Sequence, residues 1–253
     1  MKKTNYHTHH YRCNHAEGEI KDYVSFAVKR KITELGMSCH VPYKDGRFPE
    51  DRMKYSDLSK YFQEIDQARE VFKEINLLKG FECEYFEDCH DYYLELKSKT
   101  DYLILGQHYL IKENKEAVDS FYIHDKETLY LYRDSVIKGI ESKIFDFLAH
   151  PDVFMASYPQ WDEHCEKITE DILSSCRKYN MPIEYNANGL RQSRKYPHDI
   201  FWKYVSDNYP YIKILINSDA HKPNALDDKF VRISKEKIKK MKLNNIDILP
   251  IKK

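Results

Sequence analysis

Histidine and carboxylate residues recur at or just beyond the ends of apolar, strand-like runs, as His7-Thr8-His9, His15, His40, Glu82, His108, His150 and Asp219-Ala220-His221. Seven of the chain's twelve histidines belong to this set. Side chains two apart on an extended strand point the same way, so His7 with His9, and Asp219 with His221, each offer two ligands to one place. Imidazole combined with carboxylate suits zinc, manganese or iron, and this many donors exceed what one ion needs. The pattern predicts more than one divalent metal ion. Any one histidine is more readily an ordinary core or surface residue, and His10, His90, His124, His164 and His198 are read so, with His10 facing away from the His7 and His9 side. It is the ordered set that carries the chemistry.

Those ligands need elements to gather them. Strand-like runs are expected at Asn5 to His9, Met37 to Val41, Leu77 to Glu84, Tyr102 to His108, Phe145 to His150, Ile183 to Asn186 and Ile212 to Asp219. Between them, Glu19 to Leu35, Asp57 to Ile75, Lys126 to Ile140, Glu163 to Tyr179 and Asp199 to Asn208 carry apolar residues at helical spacing. In the first, Ile20, Tyr23, Val24, Ala27 and Val28 form one stripe, and Gly36 stands where a helix C-terminal cap is expected. Alternation of this kind implies a mainly parallel sheet with helices outside. An open doubly wound sheet would gather its ligand at one switch point, whereas here nearly every strand supplies a ligand at its carboxyl end. Only closure brings seven such ends around one centre, so the fold class expected is α/β, a distorted (β/α)7 TIM-like barrel with the metal site at the C-terminal ends of the strands. One domain, residues 1–253, is expected, with the Lys- and Asn-rich tail after Ile238 as a terminal cover. Pro151 after His150 and Pro42 after Val41 would turn the chain out of its strands at the rim.

Lys plus Arg and Asp plus Glu both number 41, so no global field favours nucleic acid or an anionic membrane. The opening Met1-Lys2-Lys3-Thr4-Asn5-Tyr6 lacks an apolar signal core, no run approaches the ~20 apolar residues of a membrane span, and a cytoplasmic location is expected. Six cysteines include no Cys-x-x-Cys pair. Cys13 and Cys39 lie near His15 and His40 but are read as small buried thiols outside the site. The 21 tyrosines are read as packing residues, and Lys235 to Lys242 as a solvated face of a terminal helix. The sequence is silent on oligomeric state.

The ordered motifs, from His7-Thr8-His9 through His15, His40, Glu82, His108 and His150 to Asp219-Ala220-His221, resemble the polymerase and histidinol phosphatase (PHP) family of metallo-phosphoesterases over nearly the whole chain. Cys13-Asn14-His15-Ala16-Glu17-Gly18, Asn188-Gly189-Leu190-Arg191 and Asn217-Ser218-Asp219-Ala220-His221-Lys222-Pro223 resemble its histidinol-phosphate phosphatase branch. There are departures: Asn5 stands where the family often has Asp, and Ser38-Cys39-His40 replaces the common Thr-Asp-His, losing a carboxylate beside the ligands. The resemblance implies a trinuclear site. His7, His9, Glu82 and Asp219 would hold the first metal, Glu82 bridging to a second completed by His108 and His150, with His15, His40 and His221 on the third. Glu17 is close enough to replace His15, and Glu84 is the rival bridge.

Phosphate monoesters are dianions that hydrolyse very slowly unaided, so an enzyme must neutralise charge and supply a strong nucleophile; paired metals do both. Arg191 is the expected phosphate-binding arginine, with Asn186, Gln107 and Ser218 as weaker phosphate or supporting groups and Glu17 for the substrate's cationic amine. The leaving alkoxide needs a proton, for which His198 and Asp219 are the candidates. The expected activity is a metal-dependent L-histidinol-phosphate phosphatase with a small-molecule phosphate monoester as its partner and no nucleic acid. The alternatives are a PHP-type phosphoesterase for phosphotyrosine, a nucleotide or a nucleic-acid end, and a non-catalytic metal-holding module.

Overall fold

The computed structural model describes residues 2–251. Seven parallel strands form one sheet in the order β1 (Thr4–Asn5), β2 (Glu34–Met37), β3 (Asn76–Cys83), β4 (Tyr102–Leu105), β7 (Phe147–Leu148), β8 (Ile183–Asn186) and β9 (Ile214–Asn217). The two remaining strands, β5 (Tyr109–Ile111) and β6 (Ala117–Asp119), make a separate antiparallel hairpin. The chain winds outward through α1 (Ile20–Lys29), α2 (Leu58–Val71), α3 (His90–Lys97), α4 (Lys126–Glu141), α5 (Glu163–Lys178), α6 (Ala187–Arg191), α7 (Asp199–Asn208) and α8 (Lys229–Lys240). No helix among the described residues is long and apolar enough to cross a membrane.

The first and last strands come together differently from the others. Their backbones meet at Thr8 and Ala220, where the His9 amide donates to the Ala220 carbonyl at 2.9 Å. Below that point two asparagines replace the ladder: the Asn5 side-chain carbonyl accepts from the Ser218 amide at 2.7 Å, and that of Asn217 accepts from the Tyr6 amide at 2.9 Å. The Asn that departs from the family's usual Asp therefore helps close the barrel.

Inside the barrel, Tyr6, Leu78, Tyr102, Ile104, Phe147, Ala149 and Leu215 pack into one buried layer below the ligands. Tyr102 occupies the middle, and a Cβ at Gly36 would lie 2.0 Å from its hydroxyl, so that glycine belongs to β2 and makes room for a ring. The helix cap expected at Gly36 is thus incorrect: α1 ends at Lys29 with Arg30 as its cap, followed by Lys31 in the left-handed region at φ 59°. The tail does act as a cover, since the Leu249 amide donates to the Tyr6 hydroxyl at 3.0 Å and Leu249 joins the same layer.

The helices form where the sequence supplies caps and an apolar face. α1 begins with a reciprocal Glu19–Asp22 capping box and buries Ile20, Tyr23, Val24 and Ala27; α5 is capped by Asp162, and α8 by Asp228. On α8 Val231 and Ile238 are buried, with the lysines of the run leading to Lys242 largely on the solvent side. Two helices escaped the sequence reading. α3 is short, and α6 occupies what reads as a loop from Asn186 to Arg194 because Asn186 accepts from the Asn188 and Gly189 amides and so starts a helical turn. Strands are also shorter than expected at their carboxyl ends, because the chain bends there: His150 and Asp219 adopt φ of 27° and 44°.

Candidate metal centre

These bends place the ligands. His7 and His9 follow β1, His40 follows β2, Glu82 lies within β3, His108 follows β4, His150 follows β7, and Asp219 and His221 follow β9. Non-glycine residues at positive φ cost energy and persist where the surroundings enforce them, frequently at functional sites. Here the two bends turn His150 and Asp219 over the barrel mouth.

Glu82 is the hub. One carboxylate oxygen is 3.1 Å from His7 Nε2, 3.4 Å from His9 Nε2 and 3.3 Å from His40 Nδ1; the other is 2.9 Å from His150 Nε2 and 3.4 Å from His108 Nε2. Its position depends on Gly106, where a Cβ would stand 2.2 Å from Glu82 Oε1. Asp219 Oδ1 lies 3.3 Å from His9 Nε2 and 3.4 Å from His221 Nδ1, while Oδ2 accepts from the side-chain amides of Asn186 and Asn188. A ring nitrogen of His15 lies within 4.8 Å of one on His9 and one on His221, giving a grouping His9–His15–His221 beside His7–His9–Glu82 and His40–Glu82–His108. His40 therefore groups with Glu82 and His108 rather than with His15 and His221, the third position implied for it.

Burial alone would push the Glu82 carboxyl up, but His7, His108 and His40 outweigh it and hold it well below the usual carboxylate range. Asp219 is likewise held down against burial, by His7 and His221. Burial pulls His7 down, and Glu82, Glu184 and Asp219 outweigh that to hold it well above the usual imidazole range. Burial pushes His221 down to about 4 and His40 well below its ordinary value, keeping both rings in the neutral, ligating form. His7 Nε2, His40 Nδ1 and Asp219 Oδ1 are buried beside charged neighbours yet lack hydrogen-bond geometry. A divalent cation satisfies all of these at once, and imidazole with carboxylate is its natural donor set.

A layer behind the ligands sets their orientation. Glu184, fully buried, accepts from His7 Nδ1 at 2.8 Å, the His150 amide at 3.0 Å, Asn186 Nδ2 at 2.8 Å and Asn217 Nδ2 at 3.0 Å. It fixes the His7 tautomer with Nε2 free to face Glu82. Sequence reading passed over Glu184; its signal is an acidic residue in the apolar run Ile183-Glu184-Tyr185-Asn186, on the same strand face as Asn186. Glu84, the rival bridge, is taken by Arg52 through two contacts of 3.1 Å and by the Tyr43 hydroxyl at 2.8 Å. Cys13 and Cys39 are buried as expected, but with His9 they also form a cluster of donor atoms within 4.8 Å.

A cavity of about 390 Å³ opens above the centre, lined by His9, His15, His40, Glu82, His108, His150, Asp219 and His221. The residues expected to bind substrate do not line it. Arg191 is engaged elsewhere through four of its five N–H donors: Nε donates to Asp228 at 2.8 Å, and the terminal nitrogens donate to Asn188 Oδ1 and to the carbonyls of Ser218 and Ala225. Glu17 is exposed and paired with Lys222 at 2.7 Å. Gln107 bridges the Tyr85 amide and the Tyr109 carbonyl, Ser218 donates to Asn5, and Asn186 caps α6 while holding Asp219. His198 stacks on Trp161 at 5.8 Å, and its amide donates to Asp152, off the cavity wall. The cations that do line the cavity are Arg194 and Lys222. Arg194 lies three residues past the arginine chosen from the motif, on the chain after α6, with its guanidinium 4.3 Å from the Phe121 ring centre. Gly189 permits this turn, since a Cβ there would stand 2.2 Å from the Tyr196 carbonyl.

Comparison with known proteins agrees with this architecture. The PHP domain model matches residues 5–188. A Deinococcus radiodurans protein named "Probable histidinol-phosphatase" is 24% identical over 243 residues, covering 91% of this chain and 90% of its own. The crystal structure of histidinol phosphate phosphatase from Lactococcus lactis, complexed with zinc, L-histidinol and phosphate, superposes with a TM-score of 0.75 at 19% identity, covering 97% of this chain and 95% of that one. A Listeria monocytogenes protein provisionally designated histidinol phosphatase gives 0.78 at 18% identity, covering 91% and 99%. With its barrel, its ordered ligands and the family model matched over most of its length, the chain belongs to the PHP domain family.

Proposed function

We propose that this protein is a metal-dependent phosphatase that hydrolyses L-histidinol phosphate to L-histidinol and inorganic phosphate. The observation that carries the reading is the cavity: its floor collects eight imidazole and carboxylate side chains, and its wall adds Arg194 and Lys222 for a dianion. That the Lactococcus relative is complexed with zinc, L-histidinol and phosphate supports the substrate.

His7, His9, Glu82 and Asp219, then Glu82 with His108 and His150, then His15, His40 and His221 would hold two to three ions of zinc, manganese or iron. Bound there, they would acidify water and neutralise the phosphoryl oxygens. The chain's own groups do the rest. Glu82 keeps five imidazoles converged on one centre. Glu184 and Asn186 hold His7 and Asp219 in register, and Arg194 offers the phosphate a planar pair of donors that a lysine could not reproduce. Asp219 lines the cavity, and its Oδ1, buried without a hydrogen-bond partner, would take the nucleophile's proton and return it to the leaving alkoxide. This assigns to Asp219 the role for which His198 was the other candidate.

Phosphate release from L-histidinol phosphate, p-nitrophenyl phosphate and a mononucleotide, with and without chelator, tests the proposal. A strong, chelator-sensitive preference for histidinol phosphate is expected. Activity on the comparators alone would keep the centre and discard the substrate; no release from any would leave a non-catalytic metal-holding module.

A further inference from the structure

The cavity mouth is charged unevenly. Glu50, Asp51 and Asp119 line it with Arg194 and Lys222. Lys222 is already paired with Glu17, and Arg194 stacks on Phe121. Asp51 and Asp119 flank Tyr109: its hydroxyl donates to Asp51 at 3.1 Å, and its backbone is opposite Asp119 in the β5–β6 hairpin. Two cations act on this corner, Arg52 through a hydrogen bond to Asp51 and Arg194 through its charge on Asp119. Arg52 donates to Asp51 at 3.0 Å but spends its other nitrogens on Glu84, at 3.1 Å each. Among the described residues, no cation comes within ion-pair distance of Asp119. One of its oxygens caps the turn at Ser120–Tyr122 by accepting from the Phe121 amide at 2.8 Å, and the other has no hydrogen bond among the described residues. The floor of the same cavity carries buried polar atoms without hydrogen-bond partners, His40 Nδ1, His108 Nδ1 and Asp219 Oδ1, so the space is built for a ligand. Arg194 and His108 act on Asp119 through their charge but neither is paired with it, and a half-buried carboxylate without a direct partner gains from a ligand that brings one.

We propose that Asp119, backed by Asp51, receives a protonated amine of the substrate, so that the enzyme selects phosphate monoesters bearing an ammonium group. The inference rests on the phosphatase reading and extends it: metals and Arg194 would take the phosphate end, and Asp119 the ammonium end. It gives to Asp119 the role expected of Glu17, which is exposed and paired with Lys222. Because the substrate binds through two opposite charges, an uncharged analogue would leave Asp119 unpaired, which is how a polar site discriminates strongly.

The test compares kcat/KM for L-histidinol phosphate with that for the analogue lacking the amine, in the wild type, Asp119→Asn and Asp119→Glu. Asparagine keeps the turn cap, so folding is preserved. The ratio of the two kcat/KM values is expected to fall about 10- to 100-fold in Asp119→Asn, mostly through KM, and to be partly restored in Asp119→Glu. An unchanged ratio in Asp119→Asn overturns the inference, whether both rates fall together or neither falls. If the wild type releases phosphate only from other monoesters, the substrate in the phosphatase reading has failed. The same ratio, measured on phosphoethanolamine against ethyl phosphate, then decides the role of Asp119 by the same criterion.

Discussion

Arg191 and Arg194 invite a crossed experiment, since the structure gives them opposite duties. Arg191 holds Asp228, Asn188 and the carbonyls of Ser218 and Ala225, and Asp228 also caps α8. Removing four bonds, one of them to a carboxylate, and stranding two carbonyls costs about 3 kcal/mol after water compensates. For a chain of this size that lowers Tm by roughly 6–12 °C. Arg194 loses only its contact with Phe121, worth about 1 kcal/mol or less, but it is the cavity's arginine. A charge-assisted contact with phosphate is worth about 1.5–3 kcal/mol, so Arg194→Ala should cut kcat/KM by about 10- to 150-fold. The assays are thermal unfolding and steady-state phosphate release on both alanine variants and on Arg194→Lys, which should recover little. A stable Arg191→Ala enzyme with raised KM, beside an Arg194→Ala enzyme of normal rate, would refute the assignment and return the phosphate to Arg191.

Other perturbations follow from the same contacts. Gly106→Ala should push Glu82 off its position, lowering bound metal by at least one equivalent and turnover by about 10³-fold, as read by elemental analysis and phosphate release; full metal content and rate would contradict the hub role. Arg52→Met strands the buried Glu84 carboxylate and should cost about 3–5 kcal/mol in denaturant unfolding at pH 7. A loss below 1 kcal/mol would show the pair to be dispensable. Burial, against the His198 amide and the Trp202 indole N–H that donate to it, pushes the Asp152 carboxyl up to about 7. The folded state then keeps a proton that the unfolded chain releases near pH 4, so stability falls as pH rises from about 4 to 7 and levels off above. Asp152→Asn should lack this slope, its stability relative to wild type rising across that window by at most about 4 kcal/mol; a pH-independent difference in urea melts would refute it.

The barrel and its ligands were legible because both leave local marks. Each strand is a short apolar run, and each ligand sits where such a run stops, so His7, His9, Glu82 and Asp219 could be placed without knowing any distance. What the run could not show was what lies behind or across from it. Glu184 is one acid in an apolar strand until β8 is set between β7 and β9. Arg191 and Arg194 are alike as letters, and only the formation of α6 turns the first toward Asp228 and the second toward the cavity. Asp119 belongs to a hairpin whose residues, Tyr109–Ile111 and Ala117–Asp119, are too few for periodicity to register. Gly36 misled because a glycine after a helical stripe usually ends the helix, whereas this one yields to Tyr102, a residue distant in sequence.

At the seam between β1 and β9, two asparagine side chains do what a backbone ladder does elsewhere. His7 and His9 stand on one bank, Asp219 and His221 on the other, within 3.3 Å where His9 meets Asp219. A cation gripped from both banks would therefore be a rivet through this seam, pinning the first strand of the barrel to the last. Binding the folded chain alone, it would add about 4 kcal/mol at a free concentration 1,000 times its dissociation constant. Depleting the metal should then loosen the amides of Tyr6 and Ser218 to hydrogen exchange before those of β3 and β4, so that starvation for metal unfastens the enzyme as well as silencing it.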